Sequence, residues 1–292
     1  MYDARKYKGG GSLKDGMAFG LFVMLAALVS FLVAFKVPDL FASASADPAA
    51  RVIDANASGE LTFPDIDASR LDAALRRYDV DLHAAATARL ASATDTTLDG
   101  MGDLLVDELA VALAADQELF ARMPIRYLNE VINLSRDRLY KAERRKNPWC
   151  KGSSYGDFMG VTDPSQLSLI GDRMRQDMAD ANAALAQYVV DAGAILLEGA
   201  VAARRSPTQL GPVTDQDNAA LQGMVVSLVT DEQVMPLMLA AQQGDADGAL
   251  EQLNICSLGV TAITAVRTLP EETKGRVWGQ IMRGEFNPAT LQ

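Results

Sequence analysis

The sequence has a single histidine, His83, and two cysteines, Cys150 and Cys256, among its 292 residues. A hydrolase that relies on a histidine base would have to use His83. The two cysteines form no CxxC or CxxCH motif, and no repeated Cys/His spacing is present in the sequence. A redox dithiol, an attached haem and a structural zinc site therefore have no sequence support, and we predict no cofactor.

Positive charge and aromatic side chains are also scarce. Lys and Arg number 27 against 38 Asp and Glu, the formal net charge is −11, and aromatic residues make up 6% of the chain. Phosphate-binding surfaces need a surplus of Lys and Arg, so we predict no nucleic-acid partner. The low aromatic content also disfavours base-stacking surfaces and carbohydrate platforms.

One uncharged stretch, residues 16–35, lies near the N-terminus. At 1.5 Å per residue, a helix of this length crosses a hydrocarbon core about 30 Å thick. We therefore predict one transmembrane helix over 16–35. The preceding residues 1–15 are basic, so the positive-inside rule predicts that they stay in the cytoplasm. The rest of the chain would then lie in the periplasm, beyond a bacterial inner membrane.

A cleaved signal peptide is the alternative interpretation of this stretch. The sequence Ala44-Ser45-Ala46 resembles the small-residue pattern that signal peptidases recognise. However, the apolar run is longer than a usual signal core, and this pattern lies about ten residues beyond its end. We therefore favour a retained anchor.

Gly16 and Gly20 form a GxxxG pair at the cytoplasmic edge of the predicted span. Such a pair lets two transmembrane helices approach closely. It is a candidate for membrane-helix packing in a homodimer.

The remaining chain divides into a tether and a helical domain. Residues 36–68 are rich in Ala, Ser, Asp and Pro with little periodicity, which predicts a flexible tether with a short extended piece near 60–63. From Ser69 onward, apolar residues recur at three- and four-residue steps and strand patterns are scarce, so we predict an all-α bundle over 69–292. Helices are predicted over 69–92, 97–123, 125–147, 165–205, 215–228, 230–243 and 255–268, after Pro270, and between a tight turn at Gly244-Asp245 and Leu253.

His83 is the first residue to test for a catalytic or metal-binding role. On one continuous helix from Ser69, it lines up with Asp72, Arg76 and Asp79, opposite the apolar face. We therefore predict a solvated face on which Asp79 is an ion partner one turn away. No catalytic or metal-binding residue is predicted.

Cys150 and Cys256 both fall on the exported side of the predicted span. An even pair in an oxidising compartment is a candidate disulfide. It would close a loop of about 105 residues. Two buried free thiols are the alternative.

Residues 136–151 form the one basic concentration in the acidic body, and a connection with several aromatic residues follows. Cations in a last helical turn are favoured by the helix dipole. Arginine and aromatic side chains also dominate the energetics of many protein interfaces. The aromatic residues could instead fold inward and cover the end of the bundle. The candidate interaction residues are Arg138, Lys141, Arg145, Trp149, Tyr155 and Phe158.

These features predict a non-enzymatic, single-pass inner-membrane protein. Its periplasmic helical domain would act as an interaction or scaffold element, as a subunit or assembly factor of an envelope membrane complex. The expected partners are other envelope membrane proteins and the lipid bilayer. One alternative is a glycan hydrolase that uses only carboxylates, for which Asp157 and Asp163 are the nearest candidates. Another is a regulator of a membrane transporter or sensor.

Overall fold

A computed structural model of the chain describes residues 59–61, 63, 66–92, 109, 112–113, 115–147, 150–152, 179–232, 234–235 and 253–285. Within these residues there are eight helices and no named strand, which confirms the predicted all-α class for this part of the chain. The predicted transmembrane helix over 16–35 lies outside the described residues. The helices are α1 Ser69–Tyr78, α2 Val80–Ala91, α3 Gln117–Ala121, α4 Ile125–Arg144, α5 Ala179–Arg205, α6 Asp215–Val229, α7 Ile255–Thr268 and α8 Glu271–Met282.

Several helix ends follow from local chemistry in the sequence. α4 and α8 begin directly after Pro124 and Pro270, because proline disfavours helical backbone in the residue before it. At the start of α6, Thr214 and Asp217 form a reciprocal capping box. The Asn254 side chain accepts a hydrogen bond of 3.0 Å from the Ser257 amide at the start of α7. These four helix starts agree with the sequence-based assignment.

The sequence predicts one helix over 69–92, and this is wrong, because the structure has two helices that meet at Asp79. Asp79 has extended backbone angles, and its carboxylate accepts hydrogen bonds of 2.9 Å from the amides of Asp81 and Leu82. Aspartate is among the best N-cap residues because it satisfies amides that have no partner within the helix. Capping therefore ends α1 and starts α2 within an unbroken apolar pattern.

Helix α5 lies at the centre of the fold and contacts α1, α3 and α4, while α4 also contacts α7 and α8. Small residues allow the close approach. A Cβ added to Gly199 would lie 2.9 Å from Sδ of Met123, and one added to Gly193 would lie 2.7 Å from Cδ1 of Leu109. The largest apolar cluster joins α1, α2, α3 and α5 and includes Leu71, Leu75, Tyr78, Leu82, Phe120, Val190 and Leu197.

Within α5, the stretch Ala186–Arg205 is long and apolar enough to cross a membrane, with a mean hydropathy of 1.3. However, 56% of its apolar window is buried inside the fold. Packing against neighbouring helices therefore accounts for the apolar character of this stretch, which is only weak evidence for a membrane span.

The folded body begins before Ser69. Leu61 and Phe63 are buried in the largest apolar cluster, and Phe63 pairs with Ile66 in an isolated antiparallel bridge. The Leu61 amide also donates a 3.0 Å hydrogen bond to Oδ1 of Asp72. The last part of the predicted tether over 36–68 therefore belongs to the helical body.

Candidate functional site

The structure joins Cys150 and Cys256, the predicted disulfide pair, with 1.99 Å between the sulfurs and 5.0 Å between the Cα atoms. Both residues are buried, in a small apolar cluster with Leu139, Ala142 and Ile263. The bond links the segment after α4 to the first turn of α7 across a sequence separation of 106. Loop closure of this size stabilises a fold by about 4–5 kcal/mol if the effect is purely chain entropy.

Backbone contacts hold the same two segments together beside the disulfide. Lys151 forms an isolated antiparallel bridge with Asn254, and the Gly152 amide donates a 2.8 Å hydrogen bond to the Leu253 carbonyl. The chain that leaves α4 is therefore fixed to the chain that enters α7 by covalent and hydrogen bonds.

The C-terminal end of α4 closes in a Schellman motif. The Asn147 amide donates to the Ala142 carbonyl at 3.1 Å, and the Lys146 amide donates to the Glu143 carbonyl at 2.9 Å. Lys146 has φ of 53°, a left-handed conformation that glycine usually supplies at this position. The exposed Lys146 side chain is therefore held where the chain turns.

Five exposed side chains cover this end of α4, and we call them the basic surface: Tyr140, Lys141, Arg144, Arg145 and Lys146. Tyr140 is 49% exposed, and the guanidinium carbon of Arg144 lies 5.8 Å from the centre of its ring. The sequence-based list omits Tyr140. Its position outside the apolar period of α4, one turn before Arg144, is the signal that could have identified it.

The structure divides the six predicted interaction residues. Lys141 and Arg145 lie on the basic surface. In contrast, Arg138 is turned toward α5, where its guanidinium lies 2.7 Å from Oδ2 of Asp191. Gln187 donates to the other carboxylate oxygen of Asp191 at 2.9 Å, so Arg138 belongs to a polar contact between α4 and α5. Three of the six predicted interaction residues, both candidate hydrolase carboxylates and the glycine pair lie outside the described residues: Trp149, Tyr155 and Phe158; Asp157 and Asp163; Gly16 and Gly20.

His83 is buried, which corrects the prediction of a solvated face. It is 4% exposed, and its Nε2 lies 2.7 Å from Oδ1 of Asp72. The hydroxyl of Thr87 lies one turn further along α2. It donates a 2.7 Å hydrogen bond to the backbone oxygen of His83 and not to the imidazole ring. The imidazole is thus not arranged to activate that hydroxyl as a nucleophile.

Asp72 is the centre of this buried group. Burial alone would raise the pKa of its carboxyl group. Hydrogen bonds from His83 and the Leu61 amide, with the nearby charge of Arg76, outweigh burial and lower that pKa. The carboxylate therefore stays ionised inside the fold and fixes residues 59–61 to α1 and α2.

A second buried carboxylate, Asp217, connects α6 to α8 and is 2% exposed. Thr214 donates to it from both its amide and its hydroxyl, Thr273 donates at 2.5 Å, and Arg276 lies 3.0 Å from each carboxylate oxygen. Burial opposes ionisation of Asp217, but these hydrogen bonds lower its pKa to about 2. This group is a structural junction with every oxygen engaged.

A cleft of about 700 Å³ lies between α3, the loop before α6 and α8. Three arginines line it, together with Glu118, Glu285 and the loop residues 208–212. The Glu118 carboxylate lies between two of the arginines, 2.5 Å from Arg122 and 3.5 Å from Arg283. The third arginine is Arg276, which Asp217 holds.

Among the described residues, no group of three or more His, Cys, Asp or Glu side chains is placed to hold a metal ion. Comparison with models of known protein families, with curated proteins and with solved structures finds no match to this chain. The basic surface and the arginine-lined cleft are therefore the features on which a function can be argued.

Proposed function

We propose that this chain is a single-pass protein of the bacterial inner membrane whose periplasmic helical body binds an acidic partner protein through the basic surface. It would serve as a subunit or assembly factor of an envelope membrane complex, without catalysis of its own. The observation that carries the proposal is the exposure of four neighbouring cations and Tyr140 at the end of α4.

The charge of these residues contrasts with the rest of the molecule. The chain has a formal net charge of −11. Several other arginines are engaged within the fold. Arg70 bridges Glu130 and Glu198, and Arg138 pairs with Asp191. A local positive patch on an acidic body attracts an acidic surface and orients it, because complementary potentials steer encounter and suppress other arrangements.

The basic surface is also attached to rigid structure. The Schellman motif fixes the last turn of α4, and the disulfide at Cys150 fixes the chain that follows. Binding to a pre-organised surface loses less conformational entropy than binding to a mobile one. Tyr140 adds an amphipathic ring, and tyrosine and arginine are enriched among the residues that dominate interface energies.

The predicted transmembrane helix over 16–35 supports the location in this proposal. A partner in the same membrane would meet the helical body at a high effective concentration, because the predicted tether keeps the body near the bilayer.

Affinity purification of the full chain from gently solubilised membranes tests the proposal. We expect a specific partner to co-purify with the wild-type protein and to be lost from the variant K141E/R144E/R145E. We also expect its retention to weaken as the salt concentration rises, because exposed charge pairs are screened.

The matched control reverses three exposed arginines elsewhere, in the variant R77E/R205E/R267E, which has the same change in net charge. The control should retain the partner. Circular dichroism melting confirms that both variants are folded. A wild-type protein that elutes alone, or a partner that binds both variants equally, contradicts the proposal.

A further inference from the structure

The three arginines of the cleft between α3 and α8 differ in whether their carboxylate partners are buried or exposed. Arg276 contacts both oxygens of Asp217, a carboxylate that is 2% exposed. Removing one partner of such a buried pair is strongly unfavourable, so Arg276 is committed to the fold. Arg122 and Arg283 are paired instead with Glu118 and Glu285, whose side chains are 50% and 58% exposed.

These exposed pairs are easily exchanged. Surface ion pairs contribute little because water already solvates both charges. The contact of 3.5 Å between Arg283 and Glu118 is also at the long end of ion-pair distances. An oxyanion from solution could therefore take the place of the Glu118 carboxylate without disturbing the packing of the fold.

The walls of the cleft are fixed by contacts that do not involve these two arginines' charged groups. The Thr208 amide donates a hydrogen bond of 2.9 Å to the Arg122 carbonyl, which fixes the loop before α6 that forms one wall of the cleft. Trp278 Nε1 donates a hydrogen bond of 2.8 Å to the Phe120 carbonyl, which joins α8 to α3. At Gly279, an added Cβ would lie 3.2 Å from a guanidinium nitrogen of Arg283, so this glycine lets the guanidinium lie close against α8.

We propose that the cleft is a binding site for a small oxyanion, a carboxylate or a phosphate group, which Arg122 and Arg283 bind in place of Glu118. The Glu118 carboxylate marks the position of the ligand's acid group between the two guanidinium groups. Guanidinium is suited to this role because its planar donors match carboxylate and phosphate oxygens. The volume of about 700 Å³ fits a small organic molecule.

The net charge of −11 lowers the background of non-specific anion binding in a test of this proposal. An acidic protein repels anions in general, so saturable anion binding must come from a local site. The test is isothermal titration calorimetry of the purified full-length protein with succinate and, separately, with inorganic phosphate at constant ionic strength. The tighter of the two probes identifies the acid group that the site prefers.

We expect saturable binding of at least one probe to the wild-type protein. E118Q should bind it at least threefold more tightly, because the competing carboxylate is removed. R122Q/R283Q should bind it at least tenfold more weakly. R126Q is the matched control, because Arg126 is exposed, stacks on Tyr127 and lies outside the cleft, so its affinity should equal that of the wild type.

R122Q alone keeps the test decisive if the double variant does not fold, because Arg122 is 48% exposed at its side chain. It should weaken binding at least threefold. Absence of saturable binding to both the wild type and E118Q overturns the proposal. Equal affinity in the wild type and in folded R122Q and R122Q/R283Q overturns it as well.

Discussion

Asp72 and Asp217 are both buried carboxylates with lowered pKa values, but they are stabilised by different partners. His83 and a backbone amide hold Asp72 near the point where the chain enters the helical body. Two threonines and Arg276 hold Asp217 at the junction of α6 and α8. Arg276 contacts both oxygens of Asp217, whereas the His83 ring contacts one oxygen of Asp72.

This difference assigns the two aspartates different structural roles. The Asp217 group is a permanent junction within the bundle, with a fixed cation and a capping box. The Asp72 group attaches residues 59–61, in the last part of the predicted tether, through single hydrogen bonds with the Leu61 amide and the His83 ring. We therefore expect attachment of the entry segment to be the weaker of the two.

The largest effect is expected for Asp217→Ala. It leaves Arg276 and the hydroxyl of Thr273 without their buried acceptor, and breaking such a pair costs about 3–4 kcal/mol of unfolding free energy. Urea unfolding of the purified protein measures the loss. Glu272→Ala is the matched control, because Glu272 contacts the same arginine but is 74% exposed, so its loss should be below about 0.5 kcal/mol. Equal losses in the two variants would contradict the comparison.

A smaller effect is expected for His83→Ala, about 2–3 kcal/mol, because Asp72 loses one hydrogen bond but keeps the Leu61 amide and Arg76. Limited proteolysis should also show faster cleavage near residues 59–61, because their attachment to α1 and α2 is weakened. Asp217→Ala provides the reference, in which this segment should stay protected at matched global stability. Faster cleavage in both variants would show that the two sites are not separate.

Much of the fold could be predicted because several helix ends are determined by residues close to them in the sequence. Pro124 and Pro270 start two helices, Thr214 starts a third, and the sequence Asn147-Pro148 stops α4. These signals act within a few residues, so the bounds of α6 and α7 and the starts of α4 and α8 agree closely with the sequence-based assignment.

The buried histidine could not be predicted, because its position depends on contacts between distant residues. On one continuous helix, Asp72 and His83 share a face but their Cα atoms are about 16 Å apart. The chain changes direction at Asp79, so that the two side chains meet at 2.7 Å, and the Leu61 amide bonds to the same carboxylate oxygen. Similarly, periodicity places Arg138 with Lys141 and Arg145, but only packing of α4 on α5 shows that Asp191 binds it.

Acid should destabilise the fold through both aspartates. The pKa of Asp217 falls from an ordinary 3.8 to about 2 in the fold, so the unfolded chain takes up this proton first as the pH falls. The stabilisation is therefore complete above about pH 5 and is lost between about pH 4 and pH 2, amounting to about 2 kcal/mol. Asp72, whose pKa is also lowered, changes in the same direction.

Urea unfolding at pH 5 and at pH 2.5 measures this loss in the wild type and in Asp217→Asn. Since the other carboxylates titrate in both proteins, the difference between the two losses reports Asp217. We expect the variant to lose about 1.5 kcal/mol less than the wild type over this range, because part of the stabilisation is still present at pH 2.5. An identical pH dependence would mean that Asp217 does not have a lowered pKa.

The smallest effect is expected for Arg76→Gln, although Arg76 and Arg276 each pair with a buried aspartate. Arg76 lies 3.2 Å from Asp72 and its side chain is 53% exposed, whereas Arg276 contacts both oxygens of Asp217 and is 19% exposed. Water solvates Arg76 in both the folded and unfolded states, so its loss should cost less than about 0.5 kcal/mol. Arg276→Gln should cost clearly more in the same urea titration. If Arg76→Gln lowers the unfolding free energy as much as Arg276→Gln does, then Arg76 and not His83 is the main partner of Asp72. In that case the Asp72 carboxylate depends on the charge of Arg76.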